Sequence, residues 1–242
     1  MESQNYFIGI NGVESSAQVK DIADFVNGIA KENVKVFVSN DTLYSNSLSD
    51  EKALRITKEV FEETQKYPNL IFVLHYSFRH SPEPLEDLKI IREKLPFVKN
   101  IQLDDLKKDQ IEALKYLSGE LVIFPLSDDD FETLLNNQEF LEIIKTQNYP
   151  ILLDNSCGKG IREVAEKYKE KIIKLLSLGI SNIALAGGFG PDYLDTYFEM
   201  ADLFKLNFSI DAASKLFTDN IFDVEKAKKY IGNVIAHKYD YV

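Results

Sequence analysis

A histidine and an arginine stand close together after one of the apolar runs of the chain, where they could carry out acid–base chemistry. His75 ends the run FVLH, and Arg79 and His80 follow it before Pro82. An imidazole with an ordinary pKa of about 6.5 exchanges protons at neutral pH, and a guanidinium can hold a substrate carboxylate with two hydrogen bonds. The alternative is structural: His75 as a hydrogen-bonded rim residue, with Arg79 and His80 in a solvated turn.

Asp104 ends another apolar run, NIQLD, and is a second candidate for proton transfer. Two carboxyl groups in one small cavity shift each other's pKa values and can divide the roles of acid and base. The alternative is that Asp104 caps a helix predicted to begin near Lys107. In a later loop, Lys159 is a candidate phosphate ligand or a solvent-facing charge, and Cys157 is a candidate reactive thiol or an incidental one.

The candidate residues follow or end short apolar runs, of which the sequence contains eight. These runs are the secondary-structure elements that must position them. Their length and their Val, Ile and Phe content favour strands over buried helix segments. Several are almost continuously apolar, which is typical of parallel strands covered on both faces. The predicted strands are residues 6–10, 34–39, 70–77, 97–103, 121–127, 150–156, 182–188 and 204–211.

Helical spacing separates these runs. Ser127 followed by Asp128, Asp129 and Asp130 predicts an N-cap with favourable first-turn charges rather than a metal site. A glycine C-cap at Gly179 closes the longest amphipathic segment. Its apolar face consists of Ile161, Val164, Ala165, Tyr168, Ile172, Leu175 and Leu176, and that of the last helix of Val224, Ala227, Tyr230 and Ile231.

The number of strand–helix units predicts the architecture. Eight units in 242 residues give 242/8, or about 30 residues each, the size of a βα repeat with short loops. Right-handed crossovers then close the sheet on itself. Because no linker or shift in composition divides the chain, we expect an α/β protein in which residues 1–242 form a single (β/α)8 TIM barrel.

Small residues after the last two predicted strands indicate a phosphate site. In a TIM barrel the active site lies at the carboxyl ends of the strands, and phosphate usually binds after strands seven and eight. Gly187 and Gly188 follow the seventh strand, and Ala213 and Ser214 follow the eighth. Glycines allow backbone N–H groups to approach a ligand closely. Each segment alone could be a tight turn, but together they favour phosphate.

Four stretches resemble one family, phosphoribosylanthranilate isomerase. IALAGGFGPDYL is similar to its signature LAGGLxPxN, and NIQLDD to its VQLHGDE. ILLDNSCGKGI is similar to its LLD and GGTG segment, and FSIDAASKL to its VDVSSGVE. The resemblance covers the whole chain loosely and its second half more specifically.

The resemblance implies a cofactor-free and metal-free Amadori isomerisation of a phosphorylated aminoaldose. Asp154 stands in the position of the general acid of the family, and Asp211 in that of an aspartate close to the substrate. The implied phosphate ligands are Gly158, Gly160, Gly187, Gly188, Ala213 and Ser214.

Other family positions differ. Ile8 stands where the catalytic cysteine is expected, and VSNDTLYSN has no counterpart of the arginine that holds the anthranilate. Lys215 replaces a glycine after the eighth strand. Because proton transfer contributes about 10²–10⁴-fold to a rate, a replacement base is needed, and His75 and Asp104 are the candidates. The substrate is then expected to be another phosphorylated sugar or sugar conjugate.

Three functions follow as alternatives. The first is a metal-independent sugar-phosphate enzyme of the aldose–ketose isomerase type, with Asp154 as acid and Asp104 or His75 as base. The second is a non-catalytic relative that binds a phosphorylated metabolite. The third is a true phosphoribosylanthranilate isomerase with a relocated base.

The amino-acid composition argues against several classes of binding partner. With 39 acidic and 28 basic residues the net charge is −11, which argues against nucleic-acid binding. The single cysteine excludes an intrachain disulfide and a zinc site of several thiolates. No secretory leader is visible and no apolar run reaches the ~20 residues of a membrane span. We therefore expect a cytoplasmic protein without membrane partners, and a homodimer is an open option.

Overall fold

The computed structural model describes residues 6–29, 34–117, 121–154, 164–206 and 208–239. Nine parallel strand segments form one sheet in the order β3-β2-β1-β9-β8-β7-β6-β5-β4. They are β1 Phe7–Asn11, β2 Lys35–Ser39, β3 Leu70–Phe72, β4 Leu74–Ser77, β5 Asn100–Asp104, β6 Leu121–Leu126, β7 Ile151–Leu153, β8 Ile183–Leu185 and β9 Ser209–Ala212.

The sheet closes into a barrel because β3 and β4 are two parts of one strand, interrupted at Val73. β3 pairs with β2, and β4 pairs with β5. The N–H of Val73 still donates to the carbonyl of Val38 at 3.0 Å. The nine segments therefore make eight barrel strands, and the predicted (β/α)8 TIM barrel is confirmed.

The described residues contain eight α-helices. They are α1 Ser16–Ile29, α2 Glu51–Thr64, α3 Pro84–Lys94, α4 Asp128–Leu135, α5 Gln138–Gln147, α6 Ala165–Ser177, α7 Asp195–Phe204 and α8 Val224–Tyr239. Of these, α4 and α5 both lie between β6 and β7, and α8 follows the last barrel strand. Short 3₁₀ helices span Ser45–Ser49, Lys108–Leu117 and Ser214–Leu216, and a small hairpin consists of β10 Phe217–Thr218 and β11 Ile221–Phe222. None of the helices in these ranges is long and apolar enough to cross a membrane.

Two predicted helix ends are confirmed. The Ser127 side chain accepts a hydrogen bond from the N–H of Asp130 and caps α4. Gly179 has a φ of 78° just after α6, and Ile180 N donates to the carbonyl of Leu175 at 2.9 Å. The first residue of the apolar face predicted for α6, Ile161, lies outside the described residues.

The boundaries around the last strand differ from the prediction. Phe204, predicted to open the eighth strand, is the last residue of α7, and β9 begins only at Ser209. Helix α7 begins at Asp195, because Gly190 and Tyr193 first form a bridge across a turn at Pro191. The end of α7 and the start of β9 are both apolar, so the sequence pattern does not show where the helix ends and the strand begins.

The inside of the barrel has an apolar lower part and a polar upper part. Phe7 and Phe37 stack at 4.2 Å in the lower part. The cluster that fills it also contains Val73, Ile123, Leu152, Ala184 and Ala186. The next inward positions, towards the carboxyl ends of the strands, include the polar residues Ser39, His75, Gln102 and Asp211. Side chains that carry chemistry are therefore held above a packed floor.

Candidate active site

A cavity of about 410 Å³ opens at the carboxyl ends of the barrel strands. Six aspartates are among the residues that line it: Asp41, Asp104, Asp105, Asp130, Asp154 and Asp211. His75 and Arg79 line it as well. All four candidate catalytic residues of the sequence therefore face one space, at the end of the barrel where TIM-barrel enzymes carry their active sites.

His75 and Asp104 form a hydrogen-bonded pair across neighbouring strands. His75 on β4 is in register with Gln102, two residues before Asp104 on β5. The Nε2 atom of His75 lies 2.5 Å from Oδ2 of Asp104, and its Nδ1 atom lies 3.1 Å from Oγ1 of Thr42. The alternative in which Asp104 caps the next helix is wrong, because that helix begins at Lys108 and the carboxylate binds His75 instead.

The environment of His75 favours its charged form. Burial alone would lower the pKa of the imidazole, but the charge of Asp104 and its hydrogen bond raise it above the ordinary value of 6.5. The charges of Asp211 and Asp154 raise this pKa further. Both ring nitrogens of an imidazolium are donors, which fits acceptors at Thr42 and Asp104. The raised pKa thus favours a positive charge on His75 among these carboxylates.

Asp211 lies deep in the cavity, only 7 % exposed. Nδ2 of Asn11 donates to its Oδ2 at 2.7 Å, and Oδ1 of Asn11 accepts in turn from the hydroxyl of Ser39. On the neighbouring strand, Gly9 has no side chain, and a β-carbon there would collide with the Asp211 carboxylate. Three strands thus fix the position of one carboxyl group.

Burial and like charges make Asp211 a weak acid. Desolvation is the largest cause that raises its pKa to about 7. The nearby carboxylates of Asp154 and Asp104 act in the same direction, and His75 and the hydrogen bond from Asn11 oppose them. A carboxyl group with this pKa takes up and releases a proton near neutral pH, where acid–base catalysis is most efficient.

Asp154 directly follows β7 and faces the same cavity. Its N–H donates to the carbonyl of Leu126 at 3.2 Å, which extends the strand pairing by one residue. Its charge contributes to the raised pKa values of both His75 and Asp211. The residue that the resemblance assigns as the acid is therefore in electrostatic contact with the other candidates.

Arg79 lies at the mouth of the cavity, where Asp105 holds it. Its Nη2 atom lies 3.3 Å from Oδ1 of Asp105, whose Oδ2 accepts from the Ser77 hydroxyl at 2.6 Å. Asp105 has a φ of 59°. This is the left-handed region of the backbone, which aspartate tolerates better than most residues. His80, which the sequence groups with Arg79, is exposed, and its ring centroid lies 6.3 Å from that of Tyr44.

The predicted phosphate ligands are distributed unevenly. Ala213 and Ser214 line the cavity after β9. Gly187 and Gly188 follow β8 with φ values of 102° and 76°, but they are not among the residues that line the described cavity. Cys157, Gly158, Lys159 and Gly160 lie outside the described residues.

The structure corrects the position assigned to the missing cysteine. Ile8 belongs to the apolar cluster between strands and helices, so its side chain cannot reach the cavity. Gly9 is the residue of β1 that faces Asp211 inside the barrel. Strand residues alternate between the two faces, so a difference of one residue changes the side that a side chain occupies. Neither Ile8 nor Gly9 has a side chain that could accept a proton, so neither can replace the cysteine.

Several polar residues of the cavity were not predicted from the sequence. They include Asn11, Asn40, Thr42 and Gln102, and Phe217 from the hairpin forms an aromatic wall. The ring of Phe217 packs over Gly12, at the end of β1. The sequence offered one signal for two of them. Alternate residues of a barrel strand point inward, and Asn11 and Gln102 occupy such inward positions on their strands.

Solved structures resemble the chain across most of its length. Phosphoribosyl anthranilate isomerase from Thermococcus kodakaraensis is 17 % identical with a TM-score of 0.53, covering 95 % of this chain and 98 % of that chain. The spore coat polysaccharide biosynthesis protein SpsE from Bacillus subtilis is 9 % identical with a TM-score of 0.61, covering 98 % of this chain and 69 % of that chain. Such identities show the TIM-barrel fold alone. No protein-family model and no curated protein sequence matches the chain.

Proposed function

We propose that the protein is an acid–base enzyme that acts on a small phosphorylated sugar or sugar conjugate in this cavity, by a metal-independent isomerisation of the aldose–ketose type. One observation carries the proposal: Asp211, with a pKa of about 7, faces the same cavity as the hydrogen-bonded pair of His75 and Asp104. Acidic and basic groups with shifted pKa values that share one cavity at the carboxyl ends of barrel strands are typical of catalytic sites.

Asp211 is the group best suited to carry the substrate proton. In an aldose–ketose isomerisation a proton leaves the carbon next to the carbonyl and is returned to the carbonyl carbon. The ionised form of Asp211 accepts this proton and the protonated form returns it, and a pKa of about 7 keeps both forms populated. Its fixed position between Asn11 and Gly9 keeps the carboxylate aimed into the cavity.

His75 and Asp154 serve the oxygen atoms of the substrate in this proposal. Negative charge develops on the carbonyl oxygen as the proton leaves, and the His75 imidazolium is the positive charge available to stabilise it. Asp104 keeps the imidazole charged and oriented. Asp154 keeps the role of general acid that the resemblance implies.

The phosphate is proposed to bind after β9. Ala213 and Ser214 line the cavity there with small side chains, so backbone N–H groups can approach an anion. Gly158, Gly160, Lys159, Gly187 and Gly188 remain proposed contributors from the two preceding loops. Arg79 at the mouth is proposed to contact a second anionic group of the substrate.

Hydrogen exchange tests the proposal with a small set of candidate substrates. The protein is incubated in D₂O with ribose 5-phosphate, glucose 6-phosphate and phosphoribosylanthranilate, and deuterium uptake next to the carbonyl carbon is followed by NMR. We expect exchange with at least one of them, and Asp211→Asn should slow it by about 10²–10⁴-fold. Asp24→Asn, on the exposed face of α1, is the matched control and should leave the exchange rate unchanged.

The non-catalytic alternative gives a different result. A pure binding protein would be stabilised by a phosphorylated ligand, by about 2.7 kcal/mol at a concentration of 100 Kd, with no deuterium uptake. Stabilisation without exchange would therefore replace the enzymatic proposal by the binding one. No exchange and no change in Tm with any of these phosphates would contradict both.

A further inference from the structure

The imidazole ring of His75 has partners at both of its nitrogen atoms. Nε2 lies 2.5 Å from Oδ2 of Asp104, and the side-chain amide of Gln102 lies 3.2 Å from the same nitrogen. Nδ1 lies 3.1 Å from Oγ1 of Thr42. A substrate oxygen in the cavity therefore finds no free nitrogen on this ring. The charge of the ring can act on such an oxygen through a neighbour that contacts both.

Of these three neighbours, Thr42 is the one suited to donate to a ligand. An ionised carboxylate such as that of Asp104 only accepts hydrogen bonds, and Gln102 is only 6 % exposed. Thr42 is half-buried and lines the cavity. Its hydroxyl group can accept a hydrogen bond from the ring and donate one to a ligand at the same time.

Backbone pairing fixes the position of Thr42 beside His75. The N–H of Leu43 donates to the carbonyl of His75 at 2.8 Å, and the N–H of Ser77 donates to the carbonyl of Leu43 at 3.0 Å. The segment after β2 thereby forms a parallel bridge with β4, between Leu43 and Tyr76. Leu43 is buried in the apolar layer outside the barrel. Since extended residues alternate between two faces, Thr42 points to the inner one.

The direction of the hydrogen bond between His75 and Thr42 depends on the charge of the ring. Nε2 donates its proton to the carboxylate of Asp104 in either charge state. In the imidazolium, Nδ1 carries the second proton and donates it to Oγ1 of Thr42. No other described residue forms a hydrogen bond with this hydroxyl. Its own proton is then available to a ligand, and the bond from a cation makes the hydroxyl a stronger donor.

We infer that Thr42 is a further catalytic residue, whose hydroxyl donates a hydrogen bond to the substrate oxygen that becomes negatively charged. The inference rests on the proposed function and names the group through which His75 acts on that oxygen. The hydroxyl keeps its proton throughout, and the proton removed from carbon is carried by Asp211. His75 and Asp104 are then positioning residues, which orient and polarise the Thr42 hydroxyl.

Removal of the hydroxyl without loss of shape tests the inference. Thr42→Val is compared with the parent protein by deuterium exchange, on the candidate substrate that the parent exchanges. We expect the rate at saturating substrate to fall by about 10²–10³-fold, the loss caused by removal of one donor to a developing oxyanion. KM should change little, because the charge develops only in the transition state.

Two further variants distinguish the hydroxyl from the packing around it. Thr42→Ser keeps the hydroxyl and loses the methyl group that restricts its rotamer, so it should retain the exchange rate to within about tenfold of the parent. Thr146→Val makes the same change on the exposed face of α5 and is the matched control. It should leave both the rate and KM unchanged. The Tm of each variant shows whether it folds.

The direction of the hydrogen bond is measured without any substrate. Nitrogen NMR of the His75 ring at about pH 6, below the ordinary pKa of an imidazole, should show a proton on both ring nitrogens of the free protein. An Nδ1 atom without a proton would mean that the Thr42 hydroxyl donates to the ring. The hydroxyl would then have no proton to offer a substrate, and the inference would be overturned.

The outcomes separate this inference from the proposed function. Exchange that is equally fast in Thr42→Val and in the parent, or a loss confined to KM, would overturn the role of Thr42 and leave the enzyme standing. An equal loss in Thr42→Val and Thr42→Ser would do the same, because the hydroxyl would not be the cause. No exchange by the parent with any candidate would contradict the proposed function, and the catalytic role of Thr42 with it.

Discussion

The carboxylate of Asp211 lies against the backbone of Gly9, in the space that a β-carbon at residue 9 would need. The two residues belong to neighbouring parallel strands and are in register with each other. The absence of a side chain on β1 is therefore what allows Asp211 to stay inside the barrel with its hydrogen bond to Asn11.

Substitution of Gly9 by alanine tests this contact. The added methyl group must displace the Asp211 carboxylate, and we expect Gly9→Ala to lower the free energy of unfolding by about 1–3 kcal/mol, the usual cost of overpacking. Urea denaturation measures the change. Gly28→Ala is the control, because a β-carbon at Gly28 in α1 meets no neighbour, and it should be neutral or slightly stabilising. Equal effects of both substitutions would refute the proposed collision.

Asp211 should make the stability of the protein depend on pH. Its pKa is about 7 in the folded state and 3.8 for the free group, so between these values the folded state binds more protons than the unfolded state. Stability should therefore fall as the pH rises from about 4 to about 7. The contribution is at most about 4 kcal/mol. The raised pKa of His75 acts in the same direction.

Asp211→Asn removes the larger part of this dependence. Urea unfolding at a series of pH values should give a flatter curve for the variant than for the parent protein. The slope that remains is the sum of the other groups with shifted pKa values, among them His75, Glu63 and Asp223. Parallel curves for the two proteins would mean that Asp211 titrates in its ordinary range, and the proton-carrying role proposed for it would lose its basis.

Asp104 is expected to control the protonation of His75. In Asp104→Asn the carboxylate charge is lost while burial remains, and burial lowers the pKa of an imidazole. We therefore expect the pKa of His75 to fall, as measured by NMR titration of its ring nitrogens. Asp105→Asn is the matched control, since the Asp105 carboxylate binds Ser77 and Arg79. A His75 titration that is unchanged in Asp104→Asn would argue against the pair.

Arg79 and Asp105 should have opposite effects on anion binding. Arg79→Ala is expected to weaken binding of phosphoribosylanthranilate, whose carboxylate is a second anionic group, by about two- to fivefold, the range of a partly exposed ion pair. Asp105→Asn should strengthen it, because the carboxylate that competes for Arg79 is removed. Asparagine also tolerates the left-handed backbone at this position. Calorimetry measures both affinities, and a change of the same sign in both variants would contradict the proposed competition.

The repeat of the chain was sufficient to predict the fold. Eight apolar runs at a spacing of about 30 residues predict a closed parallel barrel, because few topologies accommodate such units with short loops. The same repeat places His75, Asp104, Asp154 and Asp211 at the ends of strands. All four face one cavity, because the carboxyl ends of parallel strands in a barrel meet at the same end.

The hydrogen-bond partners of the polar side chains were decided by the tertiary structure. Capping a helix and pairing with His75 both satisfy a carboxylate such as Asp104, and the sequence does not rank the two. The alternation of β1 indicates that Asn11 points inward but does not identify its partner, because Asp211 lies 200 residues further along the chain. The contact between Asn40 and Thr57 has no spacing signal, because it joins the end of a strand to the following helix. The face that Gly9 and Ile8 present depends on a register of one residue, which only the paired neighbouring strands establish.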